Sequence, residues 1–211
     1  MAPVADAFGR LWPAAELMNV LDDRLSADLA RGGVLDDRLT QRFIDLAHYV
    51  KHAGARGILF TCSAFGPAIE AAGDAVAMPT YKPNEAMFLE ALAVEGEGGT
   101  IRVGLLTTFA PSVASMRDEL LAVAAGRGTK IELQTACAAG AMEALAAGDG
   151  ARHDHLVARE ADRLRECDVV MLGQFSMARA HDAVVARLGK HVLTSPDSAV
   201  RLLQKSLSTA T

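Results

Sequence analysis

The stretch GILFTCSAFGPAIEA, residues 57–71, decides the fold class. Its first four residues, Gly57 to Phe60, are a continuous apolar run too short for a helix and bounded like a buried strand. They pass directly into a loop of small and hydroxyl-bearing side chains, Thr61-Cys62-Ser63-Ala64. A helical pattern then opens at Pro67, a residue well suited to a first helical turn. Strand, short loop, helix is the repeating unit of parallel α/β proteins.

The same rhythm extends in both directions. Upstream, Val4, Phe8, Leu11 and Trp12 share one face of a helical pattern over 3–15, and a short apolar run at Leu17–Leu21 ends in Asp22-Asp23. Residues 38–53 place Leu39, Phe43, Leu46, Ala47 and Val50 at helical spacing, with Gly54 as the stop. Downstream, strands are expected at 76–78, 101–106, 130–135, 168–172 and 191–194. Helices are expected at 84–95, 112–125, 140–147, 152–166, 177–188 and 197–208. Strands that alternate with crossover helices form parallel sheets covered on both faces.

Two strand–loop elements, GILF-TCSAFG (57–66) and VVML-GQFSMA (169–178), occupy comparable places, which suggests an internal duplication with two facing lobes. EGEGGT (95–100) is the most linker-like stretch and lies near the chain's midpoint. The expected division is therefore residues 1–97 plus 191–211 as one lobe and 98–190 as the other.

Composition narrows the function classes. The 211 residues carry 21 basic and 26 acidic side chains, with 51% apolar and only 5% aromatic residues, so the core is built from Ala, Leu and Val. A net charge of −5 and the lack of any Lys/Arg block argue against nucleic-acid or anionic-membrane partners. No apolar run approaches the roughly 18–20 residues of a membrane span, and the N-terminus lacks the charged and apolar regions of a secretion signal. Three cysteines, at 62, 137 and 167, form no CxxC pair. A cytoplasmic protein is the expectation.

Ligands of open parallel sheets bind beyond the strands' carboxyl ends. The loops there are Thr61-Cys62-Ser63, Lys82-Pro83-Asn84, Thr107-Thr108, Gln174-Phe175-Ser176 and Ser195-Pro196-Asp197-Ser198. They are rich in hydroxyls and amides and poor in carboxylates and histidines, a set that suits an anionic carboxylate and suits a divalent metal badly. Cys62 stands out. Between a strand and a helix, its thiolate would be favoured by the helix dipole, although free cysteine is also a common small core hydrophobe. Cys137 ends a strand among Ala and Gly, and Cys167 precedes one, so both read as structural.

The six histidines give no metal pair. His153 and His155 project about 200° apart on a helix, His48 and His52 lie mid-helix on a solvated face, and His181 is near enough in sequence to approach Ser176. Met87, Met116, Met142 and Met177 read as core filler. No glycine fingerprint or Walker motif speaks for a nucleotide.

The stretches GILFTCSAFGPAIEA (57–71), GLLTTFAPSV (104–113), VVMLGQFSMA (169–178) and VLTSPDSAV (192–200) resemble the aspartate/glutamate/hydantoin racemase superfamily over nearly the whole chain. That resemblance implies two pseudo-two-fold-related α/β lobes, each a parallel sheet flanked by helices, with a cofactor-free active site in the cleft between them. It implies a small carboxylate as substrate and, from the family alone, a homodimer. In two-base members one cysteine from each lobe faces the α-carbon. Similar relatives include maleate isomerases and arylmalonate decarboxylase, which has one of the two cysteines.

Position by position, Cys62 falls on the first-lobe cysteine. The second falls at Gln174, in GQFSM where a hydantoin-type racemase shows GCAGM. A carboxamide has no accessible pKa and cannot carry the second proton. A single thiol suits a one-sided reaction: protonation of an enolate after loss of CO2, or attack on a double bond. The expected activity is racemase- or isomerase-type chemistry beside a carboxylate, the alternatives being a decarboxylase or cis–trans isomerase, or a binding protein without catalysis. The enediolate would be met by the N–H groups of Ser63 and Ala64 and the hydroxyls of Ser63, Thr107, Thr108 and Ser176. Members of that family usually open on a strand, whereas this chain opens into a helical pattern at Pro3; the expectation is either that this sequence starts late or that the strand is absent, in which case the first lobe's sheet is incomplete.

Overall fold

The computed structural model describes residues 2–62 and 65–208. The chain divides into two compact units, Met1–Ala7 with Ala86–Ser198, and Phe8–Glu85 with Ala199–Thr211.

In chain order the first elements are α1 (Ala2–Leu11), α2 (Leu25–Gly32) and α3 (Asp37–His52), then β1 (Ile58–Leu59), α4 (Gly66–Val76) and β2 (Thr80–Tyr81). Asp36 starts α3 by accepting the Leu39 N–H at 2.8 Å, satisfying one of the helix's orphan donors. Leu39, Phe43 and Ala47 then recur at four-residue spacing and are buried. Phe43 sits between Phe65 and Phe60, at ring-centroid distances of 4.9 and 5.3 Å. Around them Ala68, Ile69, Ala72 and Val76 of α4 complete this unit's core. β1 and β2 pair in parallel, Ile58 opposite Thr80 and Leu59 opposite Tyr81.

Three expectations change in this unit. The apolar run at 76–78 is not a strand: Val76 ends α4, Ala77 adopts a left-handed conformation at φ 50°, and the strand begins at Thr80. β1 is half-buried rather than buried, because its sheet has only two strands. The helix α2 lies where no element was expected and fully buries none of its residues, although Leu25 and Leu29 recur at four-residue spacing and pack partly against this unit's core. Arg42 of α3 also holds Asp28 of this helix at 2.7 Å and the neighbouring Asp22.

The remaining elements are α5 (Glu85–Ala91), β3 (Thr100–Thr107), α6 (Pro111–Gly126), β4 (Lys130–Cys137), α7 (Ala141–Ala146), α8 (Gly150–Glu160), β5 (Val169–Leu172), α9 (His181–Leu188), β6 (His191–Thr194) and α10 (Ser195–Ser208). A 3-10 helix, Phe175–Ala180, links β5 to α9. The four strands form one parallel sheet in the order β4-β3-β5-β6. Its central strand β5 is buried at every position, as a strand covered on both faces must be. One face packs Val103, Leu105 and Met171 against Met87, Phe88, Met116 and Leu120. The other packs Leu106, Val170 and Leu172 against Val157, Leu164, Met177 and Val184. Met142, expected in the core, is exposed.

The two compact units meet in the chain at 7/8, 85/86 and 198/199. Physically, Met87, Phe88, Ala91 and Leu92 share a core with β3, and β6 is hydrogen-bonded to β5. The glycine-rich stretch at 95–100 is a tight turn within this unit, with Gly98 and Gly99 at φ 64° and 78°.

Register aligns the strands' carboxyl ends. Thr107 lies opposite Cys137, and Leu106, Leu172 and Thr194 form one row across β3, β5 and β6. At the other end Asp168 clamps β3 to β5: it accepts from the Arg102 backbone N–H and from the Arg102 guanidinium, both at 2.8 Å. That pairing holds the Asp168 carboxyl below the usual carboxylate range.

Candidate active site

Cys62 follows β1 at its carboxyl end. The last strand-to-strand bond is donated by Phe60 N–H to the Tyr81 carbonyl at 3.1 Å, and Thr61 and Cys62 beyond it are both exposed. Phe60, two residues before the thiol, packs its half-buried ring against Phe43 at a centroid distance of 5.3 Å. Ser63 and Ala64, the proposed anion donors next to it, lie outside the described residues. In the loop after β2, Lys82 pairs with Glu70 at 2.7 Å and Asn84 is buried. A groove of about 570 Å³ runs past Glu70, Asp74 and Lys82, and Cys62 is not among its lining residues.

The other expected residues belong to the carboxyl edge of the four-stranded sheet. Thr107 ends β3 and Thr108 follows it, both buried. Gln174 leaves β5 and Ser176 lies in the first turn of the 3-10 helix, both half-buried. The Gln174 carboxamide reaches across to the β3 loop. Its Oε1 accepts the Thr108 backbone N–H at 3.0 Å, and its Nε2 donates to Ser112 Oγ at 3.0 Å. Ser112 Oγ in turn donates to the Phe109 carbonyl at 2.7 Å. This chain determines the amide's orientation, because a backbone N–H only donates and the serine proton is already committed. Ser112 was not among the expected residues. Its signal was its place just after Pro111, where a serine opens a helix.

The Thr107 hydroxyl is fully buried and has no hydrogen-bond partner among the described residues. Ser198 Oγ, in the first turn of α10, is in the same condition. Ser195 Oγ lies 3.6 Å from Met87 Sδ, and the Asp197 N–H donates to Thr194 Oγ1 at 3.3 Å.

The other two thiols differ from Cys62. Cys137 is half-buried at the end of the edge strand β4. Cys167 is buried at the opposite end of the sheet, where burial pushes its thiol above the ordinary range. His153 is fully buried on α8, with Nδ1 2.9 Å from Asp154 Oδ1, while His181 pairs with its neighbour Asp182 at 2.9 Å. Among the described residues no three His, Cys, Asp or Glu side chains come together as a metal-binding group. None of the described helices is long and apolar enough to cross a membrane.

A profile of the Asp/Glu/Hydantoin racemase family matches residues 7–203, and the chain belongs to that family. Solved structures share its fold. A glutamate racemase isoform from Bacillus anthracis superposes with a TM-score of 0.66 at 16% identity, over 99% of this chain and 78% of that one. An aspartate racemase homologue from Pyrococcus horikoshii gives 0.68 at 14% identity, over 98% and 93%. An arylmalonate decarboxylase gives 0.59 at 19% identity, over 85% and 80%. No curated protein matches the chain in sequence.

Proposed function

We propose that this racemase-family protein is a cofactor-independent enzyme acting at the carbon beside the carboxylate of a small acid or amino acid, with Cys62 as acid/base or nucleophile. What carries the reading is the contrast between the loops after β1 and β5: one presents an exposed thiol, and the other a carboxamide tied to Thr108 and Ser112.

As a base, the Cys62 thiolate takes the α-proton and leaves its electron pair delocalised as an enediolate. As an acid, the thiol returns a proton to that carbon. In the decarboxylating variant the C–C bond breaks, CO2 leaves without the bonding pair, and the thiol protonates the resulting carbanion. The hydroxyls of Thr107, Thr108 and Ser176, with Ser63 and Ala64, are the donors assigned to the substrate's oxygens. Each well-placed donor is worth about 2.7–4 kcal/mol in such systems. Gln174 cannot exchange a proton with carbon, which favours the one-sided reactions over symmetric racemisation. A small-carboxylate binding protein without catalysis is the rival reading.

The test is proton–deuterium exchange followed by NMR in D2O, with aspartate, glutamate, hydantoins, maleate and aryl-malonates offered to wild type and Cys62→Ser. The expected outcome is label at the α-carbon, or CO2 release, in wild type and its loss in the variant. Binding by thermal shift with no turnover of any acid would replace the enzyme with the binding protein. Turnover that survives in Cys62→Ser would remove Cys62 from the chemistry.

A further inference from the structure

The Gln174 carboxamide occupies a ready-made oxygen-binding position. Thr108 N–H is a backbone donor at the end of a buried strand, and Ser112 Oγ lies one helical turn beyond it. An acceptor oxygen between them would be held by the first and would turn the serine hydroxyl toward itself. Gln174 supplies such an oxygen from within the chain: Oε1 lies 3.0 Å from Thr108 N and 3.5 Å from Thr108 Oγ1, and Nε2 lies 3.0 Å from Ser112 Oγ. Both anchors of this bridge are stiff. Gly173 donates its N–H to the Leu106 carbonyl at 2.8 Å, which fixes the backbone just before Gln174. On the far side of the 3-10 helix, Arg179 donates Nε and Nη2 to Asp154 Oδ1 and Oδ2 at 2.9 and 3.2 Å.

We infer that Gln174 acts as an internal ligand and thereby sets specificity. Its Oε1 takes the Thr108 N–H and its Nε2 holds the Ser112 hydroxyl turned toward the Phe109 carbonyl, two groups that a second, side-chain carboxylate of a substrate would need as donors, so the acid this chain accepts bears an uncharged substituent beside its reacting carbon. A carboxylate pressed against Thr108 N–H and Ser112 Oγ finds both committed, and an unpaired charge there is far costlier than an apolar group. The specificity statement rests on the carbon-acid reading above. The internal ligand itself does not.

The experiment is therefore in two arms. In the first, Gln174→Ala is compared with wild type by thermal denaturation in rising concentrations of acetamide, which carries the carboxamide the variant has lost. The variant is expected to melt a few degrees lower and to recover saturably with acetamide, while wild type shows no such response. Equal responses in the two proteins overturn the internal ligand. Should the variant not fold, amide hydrogen exchange of wild type decides instead: Thr108 N–H is expected to exchange as slowly as the neighbouring β3 amides, and fast exchange overturns the assignment. In the second arm, turnover of aspartate and glutamate relative to uncharged-substituent acids is compared. A rise of at least about tenfold in that ratio is expected in Gln174→Ala, and an unchanged ratio overturns the specificity claim. A clean acetamide response with no turnover of any acid keeps the internal ligand and removes the carbon-acid reading and the specificity built on it.

Discussion

Thr107 shows how a single side chain separates stability from function. A buried hydroxyl without a partner costs folding free energy, and an isosteric apolar replacement removes that cost. Thr107→Val is expected to raise stability by about 1 kcal/mol. Under the proposed mechanism the same change lowers turnover, because a donor to the enediolate is gone. Denaturant unfolding and the D2O assay on one preparation check both halves; a destabilised variant would mean that the hydroxyl has a structural partner. At this scale the sequence was informative about where chemistry-bearing residues lie and silent about what they touch. Thr107, Thr108, Gln174 and Ser176 were picked by the strand-end rule, and all four lie at or just beyond the carboxyl ends of β3 and β5. Which N–H faces the Gln174 oxygen depends on a 66-residue separation in sequence, which no local pattern encodes.

Elements were legible where apolar periodicity is strong. The helix over 38–53 and the strands at 101–106 and 191–194 appear within a residue or two of their expected limits, because each buries a regular stripe or run. The error at 76–78 has a local cause. Val76 and Met78 are both apolar, but a helix already under way from Gly66 buries Val76 on its last turn, and the chain reverses at Ala77. Ala77 holds φ 50° there, donating its N–H to the Gly73 carbonyl at 2.9 Å. A left-handed residue with a Cβ costs roughly 1–2 kcal/mol, and glycine is the usual solution at this helix position. Ala77→Gly is therefore expected to stabilise the protein by about 0.5–1 kcal/mol after the extra unfolded-chain entropy of glycine is subtracted. Calorimetry would register this as a higher melting temperature, and a lower one would mean that the turn is not strained.

Across the whole molecule, α/β class could be read from repeated strand–loop–helix punctuation, and the family from the resemblance of stretches such as 57–71 and 192–200. The glycine-rich stretch at 95–100 imitates a linker in composition, yet the helix before it is packed into the same core as the strand after it. Charge is distributed just as consistently through the fold. Asp28, Asp162 and Asp168 are held below the ordinary carboxylate range chiefly by hydrogen bonds from Arg42, Arg187 and Arg102. Burial opposes the same shift at Asp154, but Arg179 and His153 prevail there. A carboxyl whose folded pKa is depressed contributes stability above its unfolded value, near 3.9, and that contribution disappears as pH falls through the folded value. Cys167 acts with the opposite sign. Its thiol is raised by burial, so stability is lost as pH rises through and beyond the unfolded value of about 8.5. The melting temperature is expected to be level near neutrality, to fall below about pH 4, and to fall again above about pH 9. Added salt should flatten the acid limb, since these ion pairs are partly solvated and open to screening. Asp168→Asn is expected to shrink that limb, because it removes the titrating partner that clamps β3 to β5. A melting temperature unchanged between pH 7 and pH 3 would show that the arginine–aspartate pairs do not differ between the folded and unfolded chains.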